Sequence, residues 1–571
     1  MSNIQVKDEV LSAIFGASPY EEKPSGIHGI LYTKDYIHFT ILSDAGHLLH
    51  TFTGAKLANK CLPGDHVAWV HNTCELELRN HYPLLVGTVE LTSSSTYGLT
   101  KRKIPMYLFR PYDTSYPPFV VGCSEKDRRY NKIGLIQFED WVDNFPRGSL
   151  QQTLGTSGDI EAEKQALMWQ ASPWKYPKHD YQPERKQDKE RHRLQGYTFH
   201  IDPEGCKDVD DVLTFEFISD TCCKVTITIS DVAAYVEDGS AIDIMASLIG
   251  QTLYSKEGKM IRPMLPAAYS EQACSLLPEK TSYGVSLQFV WDGTAIHDIQ
   301  WLETVLEVDK SYSYEEFQTA STPYHSIIKA ITTYLAKTEV TDSHEWIEHM
   351  MIFYNTEAGK KLKAAHMGVL RRHSAPDQEK WDTYMKHVPD LKFLAMQAAE
   401  YVLAEDSDTV HYGLSSDTYA HASSPIRRYA DLVNQRILKH LIHGSTEPKV
   451  AVPEYYIVPI TMHDMNARVK AIKRFARDMD FVEAWATGKT VFTGIIMDRI
   501  PKENQRTKVK LYIPEWKRMI SATYRAVSED IVLSRDETTE INVTLYREVQ
   551  VQCTFMMQSS CWKERVVLQI S

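Results

Sequence analysis

The chain has 571 residues, 43% of them hydrophobic, enough to bury several cores and to set an expectation of about three to five domains. No apolar run reaches the length of a membrane span, and Met1–Glu9 has neither the basic region nor the apolar core of a signal peptide. The nine cysteines are odd in number and lack a C-x-x-C pair, which argues against a zinc site or disulfide framework and for a reducing, intracellular compartment. The net charge of −12 leaves a nucleic-acid partner open, because phosphate binding depends on local basic surface and an acidic metal centre lowers the total.

Residues 1–25 read as a tether holding a short helix. From Gly29 the chain breaks into short β-runs at Gly29–Tyr32, Ile37–Ile41, His66–Val70 and Leu85–Val89, and the turn Leu62-Pro63-Gly64-Asp65 feeds the third. Short strands spaced by turns predict a small barrel over 26–94. A second unit, 95–165, carries the basic patches Lys101-Arg102-Lys103 and Lys126-Asp127-Arg128-Arg129-Tyr130. Such patches are solvated surface, or backbone tracks for a single-stranded nucleic acid. Residues 166–193, Pro-containing and then densely charged, read as a linker.

The central stretch, 194–486, opens on Phe199-His200-Ile201-Asp202-Pro203-Glu204-Gly205-Cys206-Lys207-Asp208-Val209-Asp210-Asp211. A strand ending near Ile201, a turn through Pro203 and Gly205, and a second strand from Val212 are predicted, with Leu213, Phe215 and Phe217 alternating along it. So many carboxylates in one turn raise each other's pKa unless a cation holds them. Hard oxygen ligands suit Mg²⁺ or Mn²⁺, and a pair of such ions clamps an in-line displacement at phosphorus. A solvated acidic loop is the plainer reading. A calcium loop is disfavoured because the spacing does not alternate as such loops require.

Further on, Ser424 and Pro425 have the character of an N-cap and first helical residue, with Ile426, Tyr429, Val433, Ile437 and Leu441 at helical spacing. Arg427 and Arg428 then fall in the first turn, against the helix dipole. Either Asp431 offsets Arg427, or the arginine and the helix N-terminus together form an anion site. A basic helix from Asn466 to about Trp485 precedes β-runs at Thr490–Ile496, Val509–Pro514 and Val549–Phe555 within 487–571.

The wording I-D-P-x-G-C-x-D-x-D-D, together with Ser424-Pro425-Ile426-Arg427-Arg428-Tyr429-Ala430-Asp431-Leu432, resembles the RNase II/RNB family, nearest its eukaryotic exosome-type branch. Pro63-Gly64-Asp65, Leu154-Gly155-Thr156-Ser157-Gly158-Asp159, and the run from Gly250 through Pro263-Met264-Leu265-Pro266 to Cys274-Ser275-Leu276-Leu277-Pro278 extend the likeness. The resemblance implies a multidomain α+β chain. It would hold two N-terminal cold-shock-type OB β-barrels, a large central α/β RNB catalytic domain and a C-terminal S1-type OB β-barrel. It implies 3′-to-5′ hydrolysis of single-stranded RNA to nucleoside 5′-monophosphates. Asp202, Asp208, Asp210 and Asp211 would hold two Mg²⁺ ions, with Mn²⁺ as substitute, and Asp210 and Arg427 would be catalytic. Tyr254 would stack the terminal base, with Tyr314, Glu348, Arg427 and Arg428 as further RNA contacts.

A monomer in the cytoplasm, without membrane attachment, is the corresponding expectation. Exosome docking is not expected, because fewer than thirty residues precede the first barrel where that branch carries an endonuclease module. Three departures accompany the likeness. Thr228 and Ala234 replace two histidines. His349 replaces a glutamate of the E-E-x-M-x-x-x-N helix that includes Glu348 and Asn355. Ala336–Glu345 is too short for the β-hairpin that brings another clamp aromatic. The alternative is an inactive RNB-fold RNA-binding regulator, from which metal carboxylates are lost; all four remain here.

Overall fold

The computed structural model describes residues 26–43, 46–79, 84–176, 179–185, 190–219, 222–256, 258–444, 462–556, 558–560 and 565–570. The tether at 1–25 and Lys186 and Lys189 of the linker lie outside them. The described chain gathers into two compact units: 175–384 with 390–469, and 26–174 with 385–389 and 470–570. No described helix is long and apolar enough to cross a membrane.

The first sheet of the barrel unit holds β1 (Ile27–Thr33), β2 (His38–Leu42), β3 (Leu48–Thr53), β4 (His66–Val70) and β5 (Thr73–Leu78), in the order β3-β2-β1-β4-β5. Alternation supplies its core from Leu31, Phe39, Ile41 and Val67, with Phe52 stacked on Phe39 at 5.1 Å. Gly64 has φ +93, the left-handed backbone that glycine adopts without a Cβ penalty, and this lets Asp65 turn back so that its carboxylate accepts from Leu62 N at 2.8 Å.

The strand β6 (Leu85–Val89), expected in this first barrel, belongs to the next. It pairs with β7 (Met106–Pro111) and β9 (Lys132–Asp140), and with β8 (Phe119–Gly122) and β10 (Arg147–Thr156) they close a barrel ordered β10-β8-β7-β6-β9. All five residues of β6 are buried. A continuous apolar run satisfies a closed barrel's interior and its packed exterior alike, so period alone did not say which barrel owned it.

The helix α1 (Ile160–Ala171) begins at Asp159, whose side chain accepts from Ala162 N, and Glu163 points inward with no exposure. Its carboxylate meets Arg565, 1% exposed, along with the Tyr112 hydroxyl at 2.8 Å and Gly158 N. Arg565 lies in the C-terminal sheet region, ordered β26-β25-β24-β23-β22-β27-β28. Those strands are β22 (Val491–Lys502), β23 (Arg506–Ile513), β24 (Arg518–Ala526), β25 (Ile531–Leu533), β26 (Glu540–Asn542), β27 (Glu548–Phe555) and β28 (Val566–Ile570). The long helix α8 (Met462–Ala486) was expected to end the central domain. From Lys470 it belongs instead with this sheet: Phe481 packs on Trp516 at 5.0 Å, Trp485 on Phe555 at 5.1 Å, and Asp478 pairs with Arg518 at 2.6 Å. The apolar face of the helix finds its burial there.

The other unit is built on a seven-stranded sheet in the order β11-β18-β17-β14-β13-β12-β19. Its strands are β11 (His192–Arg193), β12 (Tyr197–Asp202), β13 (Asp211–Phe217), β14 (Cys223–Ser230), β17 (Thr281–Trp291), β18 (Ile296–Glu307) and β19 (Lys310–Ser313). Two short ribbons, β15 (Leu253–Tyr254) with β16 (Met260–Arg262) and β20 (Val369–Arg372) with β21 (Glu400–Leu403), accompany helices α2 (Ala241–Ile249), α3 (Tyr314–Thr319), α4 (Pro323–Ala336), α5 (Ser343–Ala365), α6 (Gln378–His387) and α7 (Tyr429–Ile442). The end of α6 falls in the 385–389 segment assigned to the barrel unit.

The end of the expected linker is structural. Arg191, its side chain 4% exposed, pairs with Asp231 at 2.7 Å and Glu303 at 2.9 Å, and its guanidinium lies over Tyr283. Where a histidine was expected, Thr228 starts a buried hydroxyl chain through Ser286 to Thr304, each step 2.8 Å, so the substitution keeps the interior satisfied.

Two outcomes follow. Arg565→Met leaves Glu163 buried without its cation and lowers the stability of the barrel unit by about 3–5 kcal/mol in urea unfolding, whereas pairing it with Glu163→Met recovers most of the loss. The second concerns His411, whose pKa burial, then the neighbouring His373 and Arg371, hold down at about 4. The unfolded chain therefore binds the extra proton first, so this stability is complete above about pH 6.5 and drains away as pH falls toward about 4. Thermal melts at pH 7 and pH 5 show a drop in Tm that is smaller in His411→Phe; equal drops refute the assignment.

Candidate active site

The four aspartates come together because of one strand pair and one well-anchored loop. The strand β12 delivers Asp202 at its last residue, and Asp211 opens β13. Between them Gly205, φ +77, turns the chain, and Cys206 N donates to Pro203 O at 3.0 Å. Val209 is fully buried with Val212, Leu276, Leu306 and Val308, and it is tied on both sides: its N–H to Ser275 Oγ at 3.0 Å, its carbonyl to Leu276 N at 3.0 Å. The Cys274–Pro278 motif thus pins the aspartate loop, and the alternation around Val209 sets Asp208 and Asp210 on either side of an apolar anchor.

Asp210 is 3% exposed. Its Oδ1 accepts from Ile426 N at 2.9 Å and its Oδ2 from Arg427 Nε at 3.1 Å, while its carbonyl accepts from Ser230 N. Burial, moderated by Arg427 and the Ile426 amide, pushes its carboxyl up to about 7. Asp211 is raised well above the usual carboxylate range by burial and by the charges of Asp202 and Asp210, and it has no hydrogen-bond donor among the described residues. Asp202 pairs with His200 Nδ1 at 2.9 Å, and His200 Nε2 reaches Ser311 Oγ at 2.7 Å. Asp208 takes the Tyr254 hydroxyl on one oxygen, and Cys206 Sγ lies 3.7 Å from the other.

Tyr254 is thus brought to the acidic centre by its hydroxyl. Its position follows from the turn at 424–428, because Arg427 O accepts from Thr252 N and Gly250 O from Tyr429 N, both at 2.9 Å. Burial and the Asp208 contact raise its phenol pKa.

That turn differs from the expected helix start. The helix α7 begins at Tyr429, not Pro425; Ser424 is not its N-cap, and Arg427 precedes the helix. The reason lies in Asp431, which reaches back to Ser424 N at 2.8 Å and to Arg428 Nη2 at 2.8 Å, holding the preceding residues in a separate turn. Asp431 therefore offsets Arg428, not Arg427. Arg428, placed among the RNA contacts on sequence, spends its guanidinium on this interior pair. The expected anion site of helix terminus plus arginine is also altered: Ile426 N already serves Asp210, and Tyr429 N serves Gly250.

Arg427 itself remains open. Nε holds Asp210 and Nη2 lies 3.2 Å from Ser424 Oγ, but Nη1 has no protein acceptor among the described residues and the side chain is 47% exposed. Burial opposes its charge, yet the charges of Asp210, Tyr254, Asp211 and Asp208 outweigh this and raise its pKa.

Tyr314 sits where β19 hands over to α3. Parallel pairing of β19 with β12 sets Ser313 beside Asp202, one residue before the tyrosine. Its phenol pKa is raised by burial and then by Asp211 and Asp202, so it borders the acidic centre. Glu348 is exposed on α5 and makes none of the hydrogen bonds that tie the site together. Asn355, on the same helix, does: its amide donates to Tyr419 Oη and Ser423 Oγ and accepts from Ala422 N, bracing the approach to the turn. His200, the orienter of Asp202, is marked in the sequence by nothing beyond its place two residues ahead of it.

Among the described residues no three His, Cys, Asp or Glu side chains close on one point as a ready-made ligand set. Asp202, Asp208 and Asp210 are each engaged by protein donors. The donor chemistry nonetheless suits a hard cation: four carboxylates supply the oxygens, Asp211 has no hydrogen-bond donor among the described residues, and Asp210 and Asp211 are raised by burial and neighbouring carboxylates, a repulsion that a cation relieves.

Comparisons with known proteins bear on the domains and the fold. A family model described as the RNB domain matches residues 191–329 and 323–444, and one described as Dis3-like cold-shock domain 2 matches 106–172. The Mus musculus protein "Exosome complex exonuclease RRP44" is 22% identical over 431 residues, 58% of this chain but 44% of the relative, so the chain spans less than half of that protein's length. Ribonuclease R of Aquifex aeolicus is 25% identical over 46% of this chain and 48% of its own. Among solved structures, Mycoplasma genitalium RNase R in complex with ribose methylated single-stranded RNA superposes with a TM-score of 0.67 at 16% identity, covering 95% of this chain and all of that one. Yeast Ssd1, described as a pseudonuclease, gives 0.61 at 17% identity over 95% of this chain and 84% of its own. With the aspartate loop of one motif bonded to the arginine turn of the other, residues 191–444 of this chain form an RNB domain, accompanied over 106–172 by a Dis3-like cold-shock domain 2.

Proposed function

We propose that this chain is a 3′-to-5′ exoribonuclease that hydrolyses single-stranded RNA to nucleoside 5′-monophosphates. The observation that carries the reading is the junction of Asp210 with Arg427: an acidic loop and a half-exposed guanidinium, from segments 217 residues apart, are hydrogen-bonded to each other. A phosphodiester needs both, a cation-holding side and a fixed positive group for the charge that develops on its oxygens.

Asp202, Asp208, Asp210 and Asp211 are the residues that would hold divalent cations, two Mg²⁺ or Mn²⁺. When bound, such ions supply a lowered water pKa and charge neutralisation at phosphorus. His200 orients Asp202, and the Val209 anchor keeps the loop from spreading under its own repulsion. Arg427 presents Nη1 to a phosphate oxygen while Nε keeps the group registered on Asp210. Tyr254, held through Thr252 and Asp208, borders the last nucleotide. The eight cysteines among the described residues are all unpaired, which fits a reducing, cytoplasmic setting, and a single chain working alone is sufficient for this chemistry.

The direct test is incubation with 5′-labelled oligo(A) and Mg²⁺, run beside Asp210→Asn and a chelator control. Stepwise shortening to a short limit fragment, lost with Asp210→Asn and with chelation, is the expected result. Intact RNA that both proteins still bind moves the chain to the alternative reading, an inactive RNB-fold RNA-binding regulator. Arg427→Ala lowers kcat by about 10²- to 10³-fold, the usual cost of one preorganised donor, with RNA affinity changed far less in a direct binding titration.

A further inference from the structure

We propose that His344 is a nucleobase-stacking residue that, with Tyr314, forms a two-ring platform beside the acidic centre. The inference rests on the RNA reading above and names a residue for it that no motif marks. The imidazole of His344 lies on the Tyr314 ring with centroids 3.9 Å apart and planes 11° from parallel.

The pair is built rather than incidental. Ser343 Oγ donates to Tyr314 O at 3.0 Å, and Gln318 bridges the same two segments, accepting from Ser343 N at 2.6 Å and donating to Thr341 O at 2.9 Å. These bonds lock the start of α5 onto α3. Asp342, the N-cap of α5, accepts from His344 N at 2.8 Å and lies 3.0 Å from its Nδ1, which fixes the ring plane.

Tyr314 in turn is set by strand register one residue past the partner of Asp202. One imidazole face is therefore covered by a tyrosine bordering the carboxylates, while the His344 side chain is 62% exposed. A rigid, flat, partly solvated ring at the edge of such a site matches the face of a base, which stacks without regard to its hydrogen-bonding edge. At 3.9 Å the two rings leave no room for a base between them, so the base adds to the outer face.

The test compares wild type, His344→Ala and His344→Phe in steady-state cleavage of 5′-labelled oligo(A) and oligo(U), and in binding of RNA with a 3′-terminal 2-aminopurine. His344→Ala raises KM roughly tenfold, more for oligo(A) than for oligo(U), moves kcat less than KM, and relieves the quenching of the terminal 2-aminopurine. His344→Phe restores both readouts, which a purely packing role of the imidazole does not foresee. An active wild type with unchanged KM and quenching in His344→Ala overturns the inference alone. A wild type that binds RNA without cleaving it overturns the nuclease reading, and the fluorescence readout still decides on His344. Absence of RNA binding by the wild type overturns both.

Discussion

The site depends on one buried carboxylate. Asp210 receives an amide from Ile426 and a guanidinium from Arg427, and without them it would be an ionisable group stranded in an apolar surround, a state that costs several kcal/mol or drives the group neutral. Meeting that demand ties the aspartate loop to the 424–428 turn across 216 residues of sequence. The turn then secures its neighbours, since Arg427 O holds Thr252, Tyr429 N holds Gly250, and Asp431 ties Ser424 to Arg428. Arg427 and Tyr254 are thus placed through bonds that return to Asp210.

Charge balance explains the remaining arrangement. Four carboxylates crowd one loop, so the protein quiets them locally: His200 on Asp202, the Tyr254 hydroxyl on Asp208, and the Ile426 amide with the Arg427 guanidinium on Asp210. The arrangement holds together through these donors on its own. The global charge of −12 says little about this, because the decisive quantity is the sign and spacing of a few groups within one pocket.

Elsewhere the same rule governs stability. Glu163 and Arg565 are almost fully buried and satisfied by each other, Tyr112, Thr88 and Gly158, joining the second barrel to the C-terminal one inside their unit. Arg191, Asp231, Glu303 and Lys439 form a comparable cluster in the other unit. Buried charge of this kind contributes little net stability while intact and much instability when half removed, which makes it a device for registering segments distant in the chain.

The sequence by itself determined the elements whose causes are local. The strands flanking the aspartates follow from alternation, the loop from Pro203 and Gly205, and the short β-runs of the barrels from turn residues and β-branched or aromatic segments. Motif wording then identified which carboxylates and which arginine belong together. Tertiary structure decided what depends on partners far along the chain. Leu85–Val89 joined the second barrel because its apolar faces are satisfied there, and residues 470–486 joined the C-terminal sheet because Phe481 and Trp485 found aromatic partners in it. Asp431 pairs with Arg428 and not Arg427, and through its second bond to Ser424 it holds a folded turn ahead of Tyr429. The stack of His344 on Tyr314 required bonds between two helices that no periodicity encodes. Local propensity is written in neighbours, whereas the cost of burying a charge or a ring is settled only by what the fold brings beside it.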